Sequence, residues 1–309
     1  MQKPMIIWRF KDGKPGHENQ TTGLDAALGN TRDIKVFDIP VLGLPMFPTL
    51  LLYWLVRKIP VAFPIQMPNL IIGAGRKTHL PMVVAKSLCG GKTVVLMRPS
   101  LPSSLFDLIV APEHDDVAPG QNVVEVKGVL NAVPFVDNKD TNAGLMLIGG
   151  TSSHYKWDSR GIIDQISRIV EQAPVVHWVL TTSRRTPGIF VRLLLEHIES
   201  DNFTVIPFEK TDHAWMMDQF NKAGQIWVTP DSVSMVYESL SSGAVVRVFA
   251  IAPVDIKNQS RVVRGLNELI EQEYVSTFEQ WSSDPTHASK PKQFNEADRI
   301  AKIVLEQLS

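Results

Sequence analysis

Four short polar segments hold the residue types that nucleotide binding and acid–base chemistry require. Gly149-Gly150-Thr151-Ser152-Ser153 follows an apolar run and offers backbone N–H groups and hydroxyls to a phosphate. Arg184 and Arg185 stand in Thr182-Ser183-Arg184-Arg185-Thr186-Pro187, where two guanidinium groups suit a diphosphate. Thr229-Pro230-Asp231-Ser232-Val233-Ser234 opens a helix, with Asp231 or Ser232 as a natural N-cap. Ser232 and Ser234 at that helix start can hold phosphate, and Glu238, a turn later, can accept both hydroxyls of a ribose. Near the N-terminus, Asp12-Gly13-Lys14-Pro15-Gly16-His17 carries two candidate bases, His17 and Asp12. Each segment also has a plainer reading. Asp12 forms a turn, His17 caps a helix, the arginines pair with acidic neighbours, and Glu238 is an exposed helix residue.

Other motifs fall away. Gly73-Ala74-Gly75-Arg76-Lys77-Thr78 lacks the spacing of a P-loop, and no Gly-x-Gly-x-x-Gly fingerprint is present. His114-Asp115-Asp116 lacks partners at metal-ligand spacing and reads as a polar surface loop, so no metal site is expected. The single cysteine, Cys89, excludes an internal disulfide and a cysteine-rich metal site.

The elements that position these segments alternate in type. Short apolar strands at Met5–Phe10, Ile34–Phe37, Asn69–Ile72, Thr93–Met97, Leu108–Ala111 and Val123–Val126 are separated by helices. Residues 131–143 form a polar break, and a second series follows with strands at 145–148, 175–180, 204–208, 225–228 and 245–249. Ile162, Ile163, Ile166, Ile169 and Val170 recur at helical spacing, as do Val233, Val236, Tyr237 and Leu240. The pattern predicts an α/β protein of two Rossmann-like domains facing across a cleft, residues 1–140 and 141–309. The final amphipathic helix, 294–308, is free to pack back on the first domain. In such sheets ligands bind beyond the carboxyl ends of the strands, where all four polar segments lie.

The 309 residues suffice for two domains, and 31 Lys plus Arg against 32 Asp plus Glu leave a net charge of −1. A balance this even disfavours a nucleic-acid partner held by bulk electrostatics. The first residues hold no signal-peptide core, so a cytoplasmic location is expected. Ile39 to Val56 carries no charge but is broken by Pro40, Gly43, Pro45 and Pro48. A full membrane crossing is not expected of it. Ile39 to Lys58 reads either as a buried loop and helix or as a peripheral membrane contact on the inner face, with Tyr53 and Trp54 at the interface and Arg57 and Lys58 at anionic headgroups.

Lys14-Pro15-Gly16-His17-Glu18-Asn19-Gln20, Gly73-Ala74-Gly75-Arg76, Thr182 to Thr186 and Thr229 to Met235 resemble the bacterial relatives of the plant "elongated mitochondria" (ELM) fission protein, a family also labelled nucleoside-diphosphate-sugar epimerase. The likeness runs from about Ile6 to Leu266. More distantly, the domain plan is similar to glycosyltransferases of the GT-B class. That likeness implies a nucleotide-sugar donor on the C-terminal domain, with Gly149, Gly150, Ser232, Ser234 and Glu238 at the matching places; Thr151, Ser152, Arg184 and Arg185 are assigned to the same site from their residue types. It implies an envelope or lipid-linked acceptor facing Asp12 to His17. No cofactor is implied, the nucleotide sugar being substrate. The expected function is sugar transfer; the alternatives are nucleotide-sugar epimerisation and non-enzymatic recruitment at a membrane.

Overall fold

The computed structural model describes residues 3–41, 54–55, 57, 59–60, 63–115, 117–285 and 294–308. Most of the apolar stretch from Ile39 to Lys58 therefore lies outside the described residues. The chain divides into two compact units, Met1–Ala132 with Asn295–Ser309, and Val133–Phe294.

The first unit is a parallel sheet of β1 (Met5–Lys11), β2 (Ile34–Pro40), β3 (Leu70–Ala74), β4 (Lys92–Leu96), β5 (Leu108–Pro112) and β6 (Val123–Val126), in the order β2-β1-β3-β4-β5-β6. β3 and β5 are buried at every position, as strands covered on both faces must be. α1 (Pro15–Gly29) starts with proline in its first turn, where a missing N–H costs nothing. α2 (Arg76–Cys89) follows β3 directly. One face of the sheet packs Leu24 and Leu28 of α1 together with Ile300 and Val304 of the C-terminal helix. The other face packs Trp8 and Phe10 against Met82, Ala85 and Phe106.

The second unit repeats the plan with β7 (Asp140–Leu147), β8 (His177–Thr181), β9 (Phe203–Ile206), β10 (Ala223–Val228), β11 (Val245–Val248) and β12 (Ser276–Thr277), ordered β12-β11-β10-β7-β8-β9 and parallel throughout. Its helices are α3 (Ser159–Gln172), α4 (Phe190–His197), α5 (His213–Lys222), α6 (Val233–Ser241), α7 (Arg261–Glu271) and α8 (Phe278–Ser283). Asp158 caps α3 by accepting from the N–H groups of Arg160 and Gly161, and the isoleucine stripe read from the sequence is its buried face. β7 begins at Asp140, earlier than its apolar run. The polar residues join because Asp140 pairs with Ala223 of β10 through backbone bonds, which ask nothing of side-chain hydrophobicity.

α9 (Glu296–Leu308) belongs to the first unit. Ile300 is fully buried there, Glu296 accepts from the Lys127 N–H at 3.1 Å, and Arg299 donates to the Glu125 carbonyl at 2.6 Å. No helix among the described residues is long and apolar enough to cross a membrane.

In each sheet the order of strands reverses beside its first strand. In the first unit β1 lies between β2 and β3; in the second, β7 lies between β8 and β10. Ligand crevices of doubly wound sheets open at such a reversal, beyond the carboxyl ends of the strands.

Candidate functional site

At the reversal in the second unit the glycine pair is already engaged. The Gly149 N–H donates to Thr229 Oγ1 at 2.7 Å and the Gly150 N–H to Asp231 Oδ2 at 3.1 Å. Ser183 and Thr186 hydroxyls donate to the Gly149 carbonyl. Arg185 reaches Asp231 Oδ2 at 2.7 Å and also the Thr151 carbonyl at 3.3 Å. The expectation of bare N–H groups at Gly149 and Gly150 is thus corrected: a buried carboxylate of the chain's own occupies this anion nest. Glycine is required here because a Cβ on Gly149 would overlap the Asp231 carboxylate, and one on Gly150 the Arg185 carbonyl. Thr151 is exposed, and Ser152 Oγ accepts from the N–H groups of His154 and Tyr155, turning the chain after the glycines.

Asp231 is therefore not the N-cap of α6. Ser232 holds that position, and no side chain caps the helix. The first-turn N–H groups of α6 remain open donors, with Ser232 half-buried and Ser234 exposed beside them. The two arginines differ in the same way. Arg185 is tied to Asp231, whereas Arg184 is exposed and makes no ion pair among the described residues.

Glu238 is not an ordinary surface glutamate. It is half-buried, and its carboxylate has no hydrogen bond or ion pair among the described residues. Burial pushes its carboxyl up to about 7. Val236, Tyr237 and Leu240 form the buried stripe of α6, leaving Glu238 on the flank.

At the reversal in the first unit, β1 and the start of α1 bring Asp12 and His17 together. His17 Nδ1 lies 2.9 Å from Asp12 Oδ2, and Asp12 Oδ1 accepts from the Lys14 N–H at 3.1 Å. Asp12 is buried, whereas His17 is half-buried. The Asp12 carboxylate orients the ring and leaves His17 Nε2 as the nitrogen able to take a proton. The two candidates are therefore joined in one hydrogen-bonded pair, with His17 Nε2 as its outer nitrogen. Gly75, with φ of +87°, lies against this pair; a Cβ there would overlap His17 Nδ1 and stand 2.8 Å from Asp12 Oδ2. Lys14, Arg76 and Lys77 are exposed around it.

Sequence reasoning missed the roles of Asp231 and Gly75, whose partners lie far along the chain. It also missed His79, buried on α2, where desolvation lowers its imidazole to about 4 and Nδ1 accepts from the Ser100 N–H at 3.0 Å. A glycine directly after a strand was the available signal for Gly75. No group of three or more His, Cys, Asp or Glu side chains that could hold a metal occurs among the described residues.

The chain is 23% identical to the uncharacterized protein RP120 of Rickettsia prowazekii, across 97% of this chain and 98% of that one. Its fold is similar to UDP-GlcNAc 2-epimerase from Methanocaldococcus jannaschii, with a TM-score of 0.58 and 12% identity over 98% of this chain and all of the other. It is also similar to MurG of Acinetobacter baumannii, with a TM-score of 0.51 and 11% identity over 98% and 100% of the two chains. Two parallel six-stranded sheets matched over nearly the whole chain make this an α/β protein with the two Rossmann-like domains of the GT-B plan. Residues 15–308 match the family described as mitochondrial fission ELM1, and the chain belongs to that family.

Proposed function

We propose that this protein binds a nucleoside-diphosphate sugar on its second unit and transfers the sugar to an envelope acceptor. Glu238 carries this reading: a half-buried carboxylate without a protein partner among the described residues, one turn into a helix whose N-terminus is uncapped. A ribose diol supplies two donors to such an acceptor, and the diphosphate lies at the open N–H groups of α6 with Ser232, Ser234 and Arg184. Arg185 acts differently: with Asp231 it holds Gly149, Gly150, Thr151 and Ser152 in shape beneath the phosphates. UDP-sugar enzymes among the similar folds support a donor of this class.

His17 Nε2 takes the proton of the acceptor hydroxyl. The acceptor oxygen then bonds to the anomeric carbon as the bond from that carbon to the diphosphate oxygen breaks. The leaving charge passes to the diphosphate, opposite Arg184 and the helix start. No cofactor is invoked. Trp54 and Leu55 are 42% and 63% exposed, with Arg57 exposed beside them, which supports a peripheral contact with an anionic inner membrane surface.

Calorimetry with UDP and other nucleoside diphosphates tests the reading. Binding that weakens at least about tenfold in Glu238→Ala is expected; unchanged affinity removes Glu238 from the site. Incubation with a UDP-sugar alone separates transfer from epimerisation, because only an epimerase converts the donor without an acceptor.

A further inference from the structure

A cavity of 470 Å³ opens in the second unit, beyond the carboxyl ends of β10, β11 and β12. Its walls are of two kinds. Leu266 and Ile270, on α7, are half-buried and give it an apolar side. Gln259, Asn267 and Glu279 give it a polar one. Among the described residues, no lysine, arginine or histidine lines it. A phosphate would meet no counter-charge there and would face the Glu279 carboxylate, so this cavity is not a diphosphate site.

The polar groups keep free donors and acceptors. Asn267 Nδ2 donates to Gln259 Oε1 at 3.0 Å, which leaves the Gln259 NH2 and the Asn267 carbonyl as an adjacent donor and acceptor. Glu279 makes no side-chain hydrogen bond or ion pair among the described residues. The Tyr155 hydroxyl is buried and also lacks a hydrogen-bond partner among them. Tyr155 is held in place from outside. It pairs with Pro253 in an antiparallel bridge, flanked by Lys156 N–H to the Ala252 carbonyl at 2.8 Å and Val254 N–H to the His154 carbonyl at 2.9 Å.

We propose that this cavity binds a neutral pyranose ring. Vicinal hydroxyls each donate and accept, and so match the Gln259–Asn267 pair and Glu279. The C–H face of the ring packs on Leu266 and Ile270. Pro230, directly before Asp231, also lines the cavity, so the ring lies next to the diphosphate position proposed above. The assignment of this ring to the donor rests on that reading, whereas binding of the sugar itself does not.

The test is saturation-transfer NMR of the full chain with free glucose, galactose, N-acetylglucosamine and mannose, alongside calorimetry with UDP. Transfer to at least one sugar is expected. It should vanish in Leu266→Trp, which fills the cavity, and fall severalfold in Asn267→Leu, with both variants shown folded by circular dichroism. Glu238→Gln should keep the sugar signal while weakening UDP. No transfer to any of the sugars, or transfer unchanged in both cavity variants, overturns the proposal. Loss of UDP binding by the wild-type chain alone overturns the nucleotide reading and leaves the sugar result standing.

Discussion

Asp12 Oδ2 lies 2.9 Å from His17 Nδ1, with the carboxylate buried and the imidazole half-open to solvent. Four residues separate the two in sequence, and the turn from β1 into α1 closes that gap. Asp12→Asn preserves shape but removes the charge that holds the ring and stabilises it once protonated. Transfer to an acceptor should fall roughly 10²–10⁴-fold in Asp12→Asn and at least as far in His17→Gln. UDP affinity should stay unchanged in both, as calorimetry would check. A parallel loss of nucleotide binding would contradict the assigned roles.

Gly75→Ala should damage the same pair from the other strand. Its φ of +87° disfavours a side chain, and the new Cβ overlaps His17 Nδ1. A loss of about 1–3 kcal/mol in urea unfolding is expected, with acceptor-dependent turnover lost as His17 is displaced.

Glu238 imposes a pH dependence whose sign follows from its raised carboxyl, at about 7 rather than 4.5. Between those values the folded protein holds a proton that the unfolded chain has released. Its stabilising contribution is therefore complete below about pH 4.5 and is lost as pH rises through about 7. Glu238→Gln should be more stable than wild type at pH 8 by about 1–3 kcal/mol and indistinguishable at pH 4.5, measured by chemical denaturation. Saturating UDP should narrow the difference at pH 8, because a bound diol partners the carboxylate.

Arg184 and Arg185 are adjacent but should separate by assay. Arg185→Ala leaves Asp231 buried without its counter-charge, and about 2–4 kcal/mol of stability should go with it. Arg184→Ala should leave unfolding within about 0.5 kcal/mol of wild type and weaken UDP severalfold. Equal effects of the two substitutions on stability would contradict the Asp231 arrangement.

Ile300→Ala tests the reach of the C-terminal helix. The side chain is fully buried on the first sheet, so a loss of about 2–5 kcal/mol is expected. Hydrogen exchange should show the loosening in β1, β3 and α1, with β7 and β10 keeping their protection.

Much of the architecture is legible in the amino-acid sequence. The strands of both series apart from the two-residue β12, the isoleucine stripe of α3 and the collection of polar residues at strand ends all follow from local periodicity, because helix and strand bury one face at characteristic spacings. The pairing of Asp12 with His17 was within reach for the same reason, since both flank one strand end. What local order could not carry was any bond across it. Gly149 and Asp231 are remote in the chain, and only the neighbouring of β7 and β10 sets that carboxylate into the glycine turn and takes away the N–H groups a phosphate would have used. The same reversal in the other sheet brings Gly75 against His17. The sequence by itself determined which elements form and where chemistry collects, through side-chain polarity and spacing. Tertiary structure alone decided which polar groups are consumed by one another and which, like Glu238 and Arg184, are left without a side-chain partner among the described residues, because each donor and acceptor is satisfied only by what the fold places beside it.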